Sequence, residues 1–133
     1  MVSRDTKVHL GTVAATLAVL LGAEYAGLLP DGGPVLGVLV IVSYGAIFGG
    51  SHLYLAVRGD EGMVSVRSRW RYLATLAVVL SAGAVYVVAG GVTVGPVSVG
   101  TAALAGAGIA AAAYVVTESI DAYRSSANKR TSG

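Results

Sequence analysis

The 133-residue sequence is defined first by what it lacks. It has no cysteine, which excludes disulfides, thiolate metal ligands and cysteine nucleophiles. Charged residues make up 12% of the chain, against about 25% in soluble domains. A small soluble domain has a large surface for its volume and must cover it with polar groups. The composition therefore excludes an ordinary water-soluble fold, and we expect lipid to be the solvent.

Recognisable catalytic signatures are also missing. The sequence contains no phosphate-binding loop, dinucleotide fingerprint, nucleophile elbow or His-Glu-x-x-His motif in the context that each requires. His9 and His52 could hold a haem or a metal between adjacent helices, but two histidines without cysteine or clustered carboxylates make a poor zinc site. We therefore predict that the chain is not an enzyme and holds no metal or other cofactor.

What the sequence does contain is long apolar stretches. Each is close to the ~20 residues that span ~30 Å of hydrocarbon as a helix. Because lipid offers the backbone no hydrogen-bond partners, segments this long must be helical. The sequence predicts an all-α integral membrane bundle of four transmembrane helices, in a single domain covering residues 1–133. The predicted helices are 8–29, 35–57, 72–89 and 97–124, and a disordered tail follows over 125–133.

The predicted connections differ in length and polarity. Residues 30–34 and 90–96 are rich in glycine and proline and predict tight turns, whereas residues 58–71 form a substantial polar loop. A cleaved signal peptide is an alternative for the first segment. That apolar run is longer than the apolar region of a signal peptide, which usually has about 7 to 15 residues. We therefore favour a retained helix.

The basic residues are distributed on one side of the predicted helices. All nine Lys and Arg residues lie before the first helix, between the second and third, or at and beyond the end of the fourth. The other side carries Asp31 and no cation. The positive-inside rule therefore predicts a multi-pass protein of the cell membrane with both termini in the cytoplasm. Short basic clusters between apolar segments are topology signals, so we expect no nucleic acid partner.

A weak internal repeat joins the two halves of the chain. Residues 16–23 resemble residues 75–82, and a Gly-Pro-Val sequence follows each at Gly33 and Gly95. The halves are either duplicated helical hairpins or similar by chance. Because alanine, leucine, valine and glycine dominate the chain, self-similarity is inflated, and we favour chance.

Small residues recur along three predicted helices and favour close helix packing. The fourth helix has a second face of small residues, on which another copy of the chain or a partner membrane protein could pack. The small residues of interest are Ala14, Ala18, Gly22 and Ala26 in the first helix, Gly45 and Gly49 in the second, and Gly100, Ala102, Gly106, Gly108 and Ala110 in the fourth.

The candidate intramembrane polar site consists of Glu24, Tyr25, Tyr44 and His52. An ionisable group in a membrane helix is costly unless it is protonated, paired or hydrated. Glu24 is therefore either a proton- or cation-binding carboxylate or an interfacial residue near the outer boundary. We favour the interfacial interpretation, because Glu24 lies away from the predicted helix centre.

A glutamate in the first of four short helices resembles the small multidrug resistance transporters. The resemblance covers Ala23, Glu24 and Gly27. The one-sided charge distribution differs from the nearly unbiased charges of that family's dual-topology members, and we do not assign the chain to it.

The second group of candidate residues lies near the predicted inner interface. Arginine side chains there can contact anionic lipid head groups, and an aromatic ring is favoured at the same level. These interfacial residues are Arg58, Arg67, Arg69, Trp70 and Arg71.

Together these features predict a small structural or protein-interaction component of the membrane. Its partners would be the lipid bilayer and either a second copy or another membrane protein. The alternative is a small proton- or cation-coupled transporter or channel that uses Glu24.

Overall fold

The computed structural model describes residues 2–132 and contains four long helices with one short β-hairpin. Each helix is long and apolar enough to cross a membrane, which confirms the prediction of an all-α, multi-pass membrane protein. Met1 and Gly133, the ends of the predicted domain, lie outside the described residues. The elements are α1 (Arg4–Tyr25), α2 (Gly33–Val57), α3 (Val66–Ala89), β1 (Thr93–Val94), β2 (Val97–Ser98) and α4 (Val99–Thr131).

Three of the helices begin at a serine N-cap. The hydroxyl oxygens of Ser3, Ser65 and Ser98 accept the amide N–H three residues later, at 3.2, 3.2 and 3.0 Å. Such a cap satisfies an amide that the helix itself leaves unpaired. The predicted starts at residues 8 and 72 are therefore wrong, since α1 begins at residue 4 and α3 at residue 66. The apolar pattern marks the part in lipid, whereas the serine marks the start of the helix.

Glycine ends the first two helices. Gly27 and Gly59 have positive φ angles of 65° and 67°. The next residue in each case donates its amide back to the helix, from Leu28 to the Ala23 carbonyl at 2.9 Å and from Asp60 to the Leu55 carbonyl at 3.0 Å. This is the arrangement that closes a helix with a left-handed glycine. It ends α1 at Tyr25, before the predicted residue 29.

The fourth helix continues well past its predicted end. It runs to Thr131, so the prediction of a disordered tail from residue 125 is wrong for the described part of that segment. Residues 118–131 contain no glycine or proline, and Lys129 and Arg130 occupy the last turn, where cations stabilise a helix end. At about 1.5 Å per residue, the 33 residues of α4 span about 50 Å. The helix therefore exceeds the ~30 Å hydrocarbon layer and projects from it.

A β-hairpin replaces the simple turn predicted between α3 and α4. Val94 pairs with Val97, which leaves Gly95 and Pro96 as a two-residue loop. Gly95 has a φ angle of 61°. Glycine as the first loop residue is typical of the tight turns that join antiparallel strands.

The helices pack in chain order. α1 packs on α2, α2 on α3 and α3 on α4, and in the described chain α1 and α4 have no comparable packing against each other. α2 and α3 are therefore central, while α1 and α4 flank them. Alternating helix directions bring all nine cations to one end of the molecule, which we call the basic end. The other end, with residues 26–32 and the β-hairpin, is the opposite end.

The most buried side chains lie at the basic end. Leu55 and Ala56, near the end of α2, are 1% and 4% exposed, and Ser51 and Arg69 are 3% and 1% exposed. Most other large apolar side chains remain accessible, as expected where lipid is the solvent. The protein core thus contains a buried cation.

Candidate functional site

Arg69 lies at the centre of the buried polar groups. Its Nη2 donates to Asp5 Oδ2 at 2.6 Å, and its Nη1 donates to His52 Nδ1 at 3.2 Å. These three residues, which we call the Arg69 cluster, come from α1, α2 and α3. Hydrogen bonds between charged partners are the stronger ones. The cluster therefore joins three helices at the basic end.

Asp5 also connects α1 to the segment between α2 and α3. The Met63 amide donates to Asp5 Oδ2 at 3.3 Å. Gly62 allows this approach, because a Cβ atom there would lie 2.5 Å from Asp5 Oδ1. Beside it, Arg4 and Asp60 form an exposed ion pair of 3.1 Å. The first turn of α1 is thus bound both to this segment and to α3.

The hydrogen bond from Arg69 defines the protonation state of His52. A guanidinium group can only donate, so Nδ1 of His52 must accept. The imidazole is therefore neutral, with its proton on Nε2. Its ring lies against Tyr72, with the two ring centroids 4.7 Å apart. His52 is consequently a neutral base in direct contact with a buried cation.

A small cavity of about 250 Å³ adjoins the Arg69 cluster. His9 Nδ1 and the Ser51 hydroxyl, 3.2 Å apart, lie on its wall. Arg69 Nε is buried and has no hydrogen-bond partner. Across residues 2–132, no three His, Cys, Asp or Glu side chains come together as a metal site.

A second group of ionic contacts joins α3 to α4. Arg71 Nε lies 2.9 Å from Glu118 Oε1, and Arg71 Nη1 donates to Asp121. The Ser68 hydroxyl donates to Glu118 Oε2 at 2.8 Å. The Arg71, Glu118 and Asp121 side chains are 25%, 27% and 39% exposed. This group, the Arg71 cluster, is therefore accessible where the Arg69 cluster is enclosed.

Glu24 lies far from both clusters. It occupies the last turn of α1 at the opposite end and is exposed. It lines an apolar cavity of about 440 Å³ between α1 and α2, together with Ser43 and Tyr44. Tyr25 is 96% exposed. The predicted polar site is thus divided, because Glu24, Tyr25 and Tyr44 lie away from His52 at the basic end.

The predicted interfacial residues also divide into two groups. Arg58 donates to the Tyr54 hydroxyl at 2.8 Å and lies over that ring, while Arg67 and the 48% exposed Trp70 are open. For these three, contact with lipid head groups stays a prediction. For Arg69 the prediction is wrong, since the side chain is enclosed by protein and bound to Asp5. Arg71 is bound to α4 rather than free.

Asp5 is the important residue that the sequence-based reasoning missed. Two signals could have found it. It follows the Ser3 N-cap, so it lies within the first helix rather than before it. It also carries a charge opposite to Arg69 at the same end of the molecule. Apolar periodicity alone contains neither signal.

Comparison with protein-family models, curated proteins and solved structures finds no match to this chain.

Proposed function

We propose that the protein is a non-enzymatic structural component of the cell membrane that associates with a second copy of itself through α4. In this arrangement the basic end faces the cytoplasm, in accordance with the positive-inside rule. The lipid bilayer surrounds the remaining helix faces. The surface of α4 that points away from α3 supports the proposal.

Within the membrane, the side chains on that surface are small. Ala103, Ala107, Ala110 and Tyr114 are half-buried on the side facing α3. The outer side carries Ala105, Gly108 and Ala112, all exposed. Small residues at such spacing let two helix backbones approach closely in lipid.

Larger apolar side chains lie on the same face of α4, both within the membrane and in the projecting part of the helix. Ile109, Val116, Ile120 and Tyr123 are 71%, 56%, 45% and 76% exposed. The positions 105, 109, 112, 116 and 123 recur at intervals of three, four or seven residues, which is the spacing of a coiled-coil seam. Ile120 and Tyr123 lie in the projecting part of α4, where exposure to water is unfavourable. A second α4 alongside would cover them.

The glycines of the molecule support an external partner. A Cβ atom at Gly37 would lie 2.6 Å from Val87 Cγ1, and one at Gly49 would lie 2.8 Å from Leu76 Cδ2, so these glycines admit neighbouring side chains. Within residues 2–132, Gly108 has no atom within 4 Å of such a position, as is also true of Gly106 on another face of α4. Glycine destabilises a helix interior by about 1 kcal/mol relative to alanine. A glycine at this site is useful when another helix packs on it.

Cysteine cross-linking tests the proposal, because the native chain has no cysteine. Ala112→Cys and Tyr123→Cys each introduce a single thiol on the proposed seam. We expect both variants to form disulfide-linked dimers when oxidised in membranes. Ala107→Cys, which faces α3, and Ala122→Cys, which is exposed beside the seam, are the matched controls and should stay largely monomeric.

The pattern of cross-links decides the outcome. Dimers at residues 112 and 123 with little product at 107 and 122 support a symmetric α4–α4 contact. Equal yields at all four positions would indicate random collision and would overturn the proposal. Failure of both seam positions to cross-link would also overturn it and would favour a different membrane protein as the partner.

The transport alternative lacks a polar pathway in the described residues. Asp5 and Glu24 are 19 residues apart in α1 (24 − 5), which corresponds to about 28 Å along the helix. The hydroxyls of Thr12, Thr16 and Ser43 donate to carbonyls of their own helices. We therefore do not propose transport as a second function.

A further inference from the structure

We infer that the Arg69 cluster is a pH-responsive contact, in which protonation of His52 releases the first turn of α1 from α3. The inference concerns the basic end and does not depend on self-association through α4. It rests on the direct hydrogen bond between a buried guanidinium group and an imidazole that must be neutral to accept it.

Protonation of His52 would turn its attractive hydrogen bond with Arg69 into a repulsion. Arg69 Nη1 and His52 Nδ1 are 3.2 Å apart, with Arg69 as the donor. A proton on Nδ1 would remove the acceptor and bring two N–H donors, both on cations, face to face. Arg69 is 1% exposed, so water screens this repulsion weakly. The neutral form of His52 is therefore required for the observed geometry.

The groups that face His52 come from two helices, α1 and α3. α1 contributes Asp5 and His9, and α3 contributes Arg69 and Tyr72. α4 reaches this region only indirectly, since Tyr114 contacts the Tyr72 ring with centroids 6.0 Å apart. Asp5 is the carboxylate of this set, and it is already bound to Arg69 at 2.6 Å. A second cation would have to compete with Arg69 for the same carboxylate.

The first turn of α1 is the part that this competition would free. α1 packs on α2, and Asp5 is its ionic contact with α3. Once the contact between Arg69 and His52 is lost, the cavity of about 250 Å³ beside them opens to water. Both cations then gain hydration, which favours the released state. The adjacent Arg69 cation opposes uptake of this proton, so the change is expected under acidic conditions.

Spin-label distance measurements in lipid nanodiscs test the inference. The background is Val2→Cys with Ser126→Cys, which labels an exposed residue before α1 and another on α4. α4 stays joined to α3 through the Arg71 cluster. At pH 8 we expect one narrow distance distribution. At pH 5 a second distribution at longer distance should appear, because His52 takes up a proton under acidic conditions and the first turn of α1 is then released.

Three variants on the same background assign the response. His52→Gln keeps a side-chain oxygen that can accept from Arg69 and takes up no proton, so it should keep the pH 8 distribution at both pH values. His9→Gln removes the other imidazole, which bonds to Ser51 rather than to Arg69, and should respond like the parent. His52→Lys carries a permanent charge and should show the longer distance even at pH 8.

The inference is overturned if the parent shows the same distribution at both pH values, or if His52→Gln responds as strongly as the parent. A response that disappears in His9→Gln and persists in His52→Gln would also overturn it, by assigning the switch to the wrong imidazole. If His52→Lys fails to insert into the membrane, the comparison of His52→Gln with His9→Gln still decides the matter.

Discussion

Removal of the Asp5 carboxylate should strongly destabilise the basic end. Asp5→Ala leaves Arg69, 1% exposed, without its counter-charge. Breaking a buried ion pair by removing one partner typically costs about 3–5 kcal/mol. The Asp5 side chain is 18% exposed, so water can enter part of the vacated space, and we expect a loss at or just below the lower limit of that range, about 2–3 kcal/mol.

The neighbouring exposed ion pair provides the matched control. Arg4 and Asp60 are joined at 3.1 Å with side chains 58% and 26% exposed. Because exposed pairs contribute about 0–1 kcal/mol, Arg4→Ala should reduce the free energy of unfolding by less than about 1 kcal/mol. Both substitutions lie in the first turn of α1. A difference between their effects on the free energy of unfolding therefore reflects the burial of the ion pair and not its position in the helix.

The assay is the free energy of unfolding in bicelles, measured for the native chain, Asp5→Ala, Arg69→Met and the double variant. If the pair is coupled as the 2.6 Å contact indicates, the double variant should lose less than the sum of the single losses, by about 1–3 kcal/mol. Additive losses, or an Asp5→Ala effect no larger than that of Arg4→Ala, would refute the argument that burial makes this contact important.

Three further predictions follow from helix packing, the hairpin and the charges. Gly50→Ala should lower the free energy of unfolding by about 1–3 kcal/mol, because its Cβ would lie 2.5 Å from Thr12 Cγ2. Gly108→Ala is the control. Its Cβ would enter open space within the described chain, so the free energy of unfolding of the monomer should stay unchanged or rise. Gly95→Ala, at a φ angle of 61°, should destabilise the hairpin by about 1–2 kcal/mol, seen as faster amide exchange in residues 93–98 with little change in α2. A reporter enzyme active only in the cytoplasm should be active when fused to the C-terminus, and activity of a periplasmic or extracellular reporter there would contradict the proposed orientation.

The apolar pattern of the sequence predicts the number of helices and their approximate centres, and the structure agrees with it. It fails at the helix ends, because those depend on single residues such as Ser3, Ser65 and Gly27 whose caps are satisfied by specific hydrogen bonds. It also fails for the tail after residue 124, where charged residues compatible with a helix resemble those of a disordered segment.

The site was less predictable than the fold. Each residue of the Arg69 cluster lies on a different helix, and pairing across 64 positions between Asp5 and Arg69 leaves no periodic signal in the chain. The sequence predicts that Arg69 lies near a membrane boundary but cannot show whether its side chain turns outward to lipid or inward to protein. The answer depends on Asp5, which pairs with Arg69, and on Gly62, which makes room for the Asp5 carboxylate.

The uneven distribution of buried side chains has a consequence for how the molecule opens. Ser51, Leu55, Ala56 and Arg69 anchor the basic end, whereas α1 and α2 enclose an apolar cavity of about 440 Å³ toward the opposite end. Local opening begins where few contacts must be broken. Thermal fluctuations should therefore separate α1 from α2 at the leaflet farther from the arginines first, with the basic end acting as the hinge and lipid chains filling the widening gap.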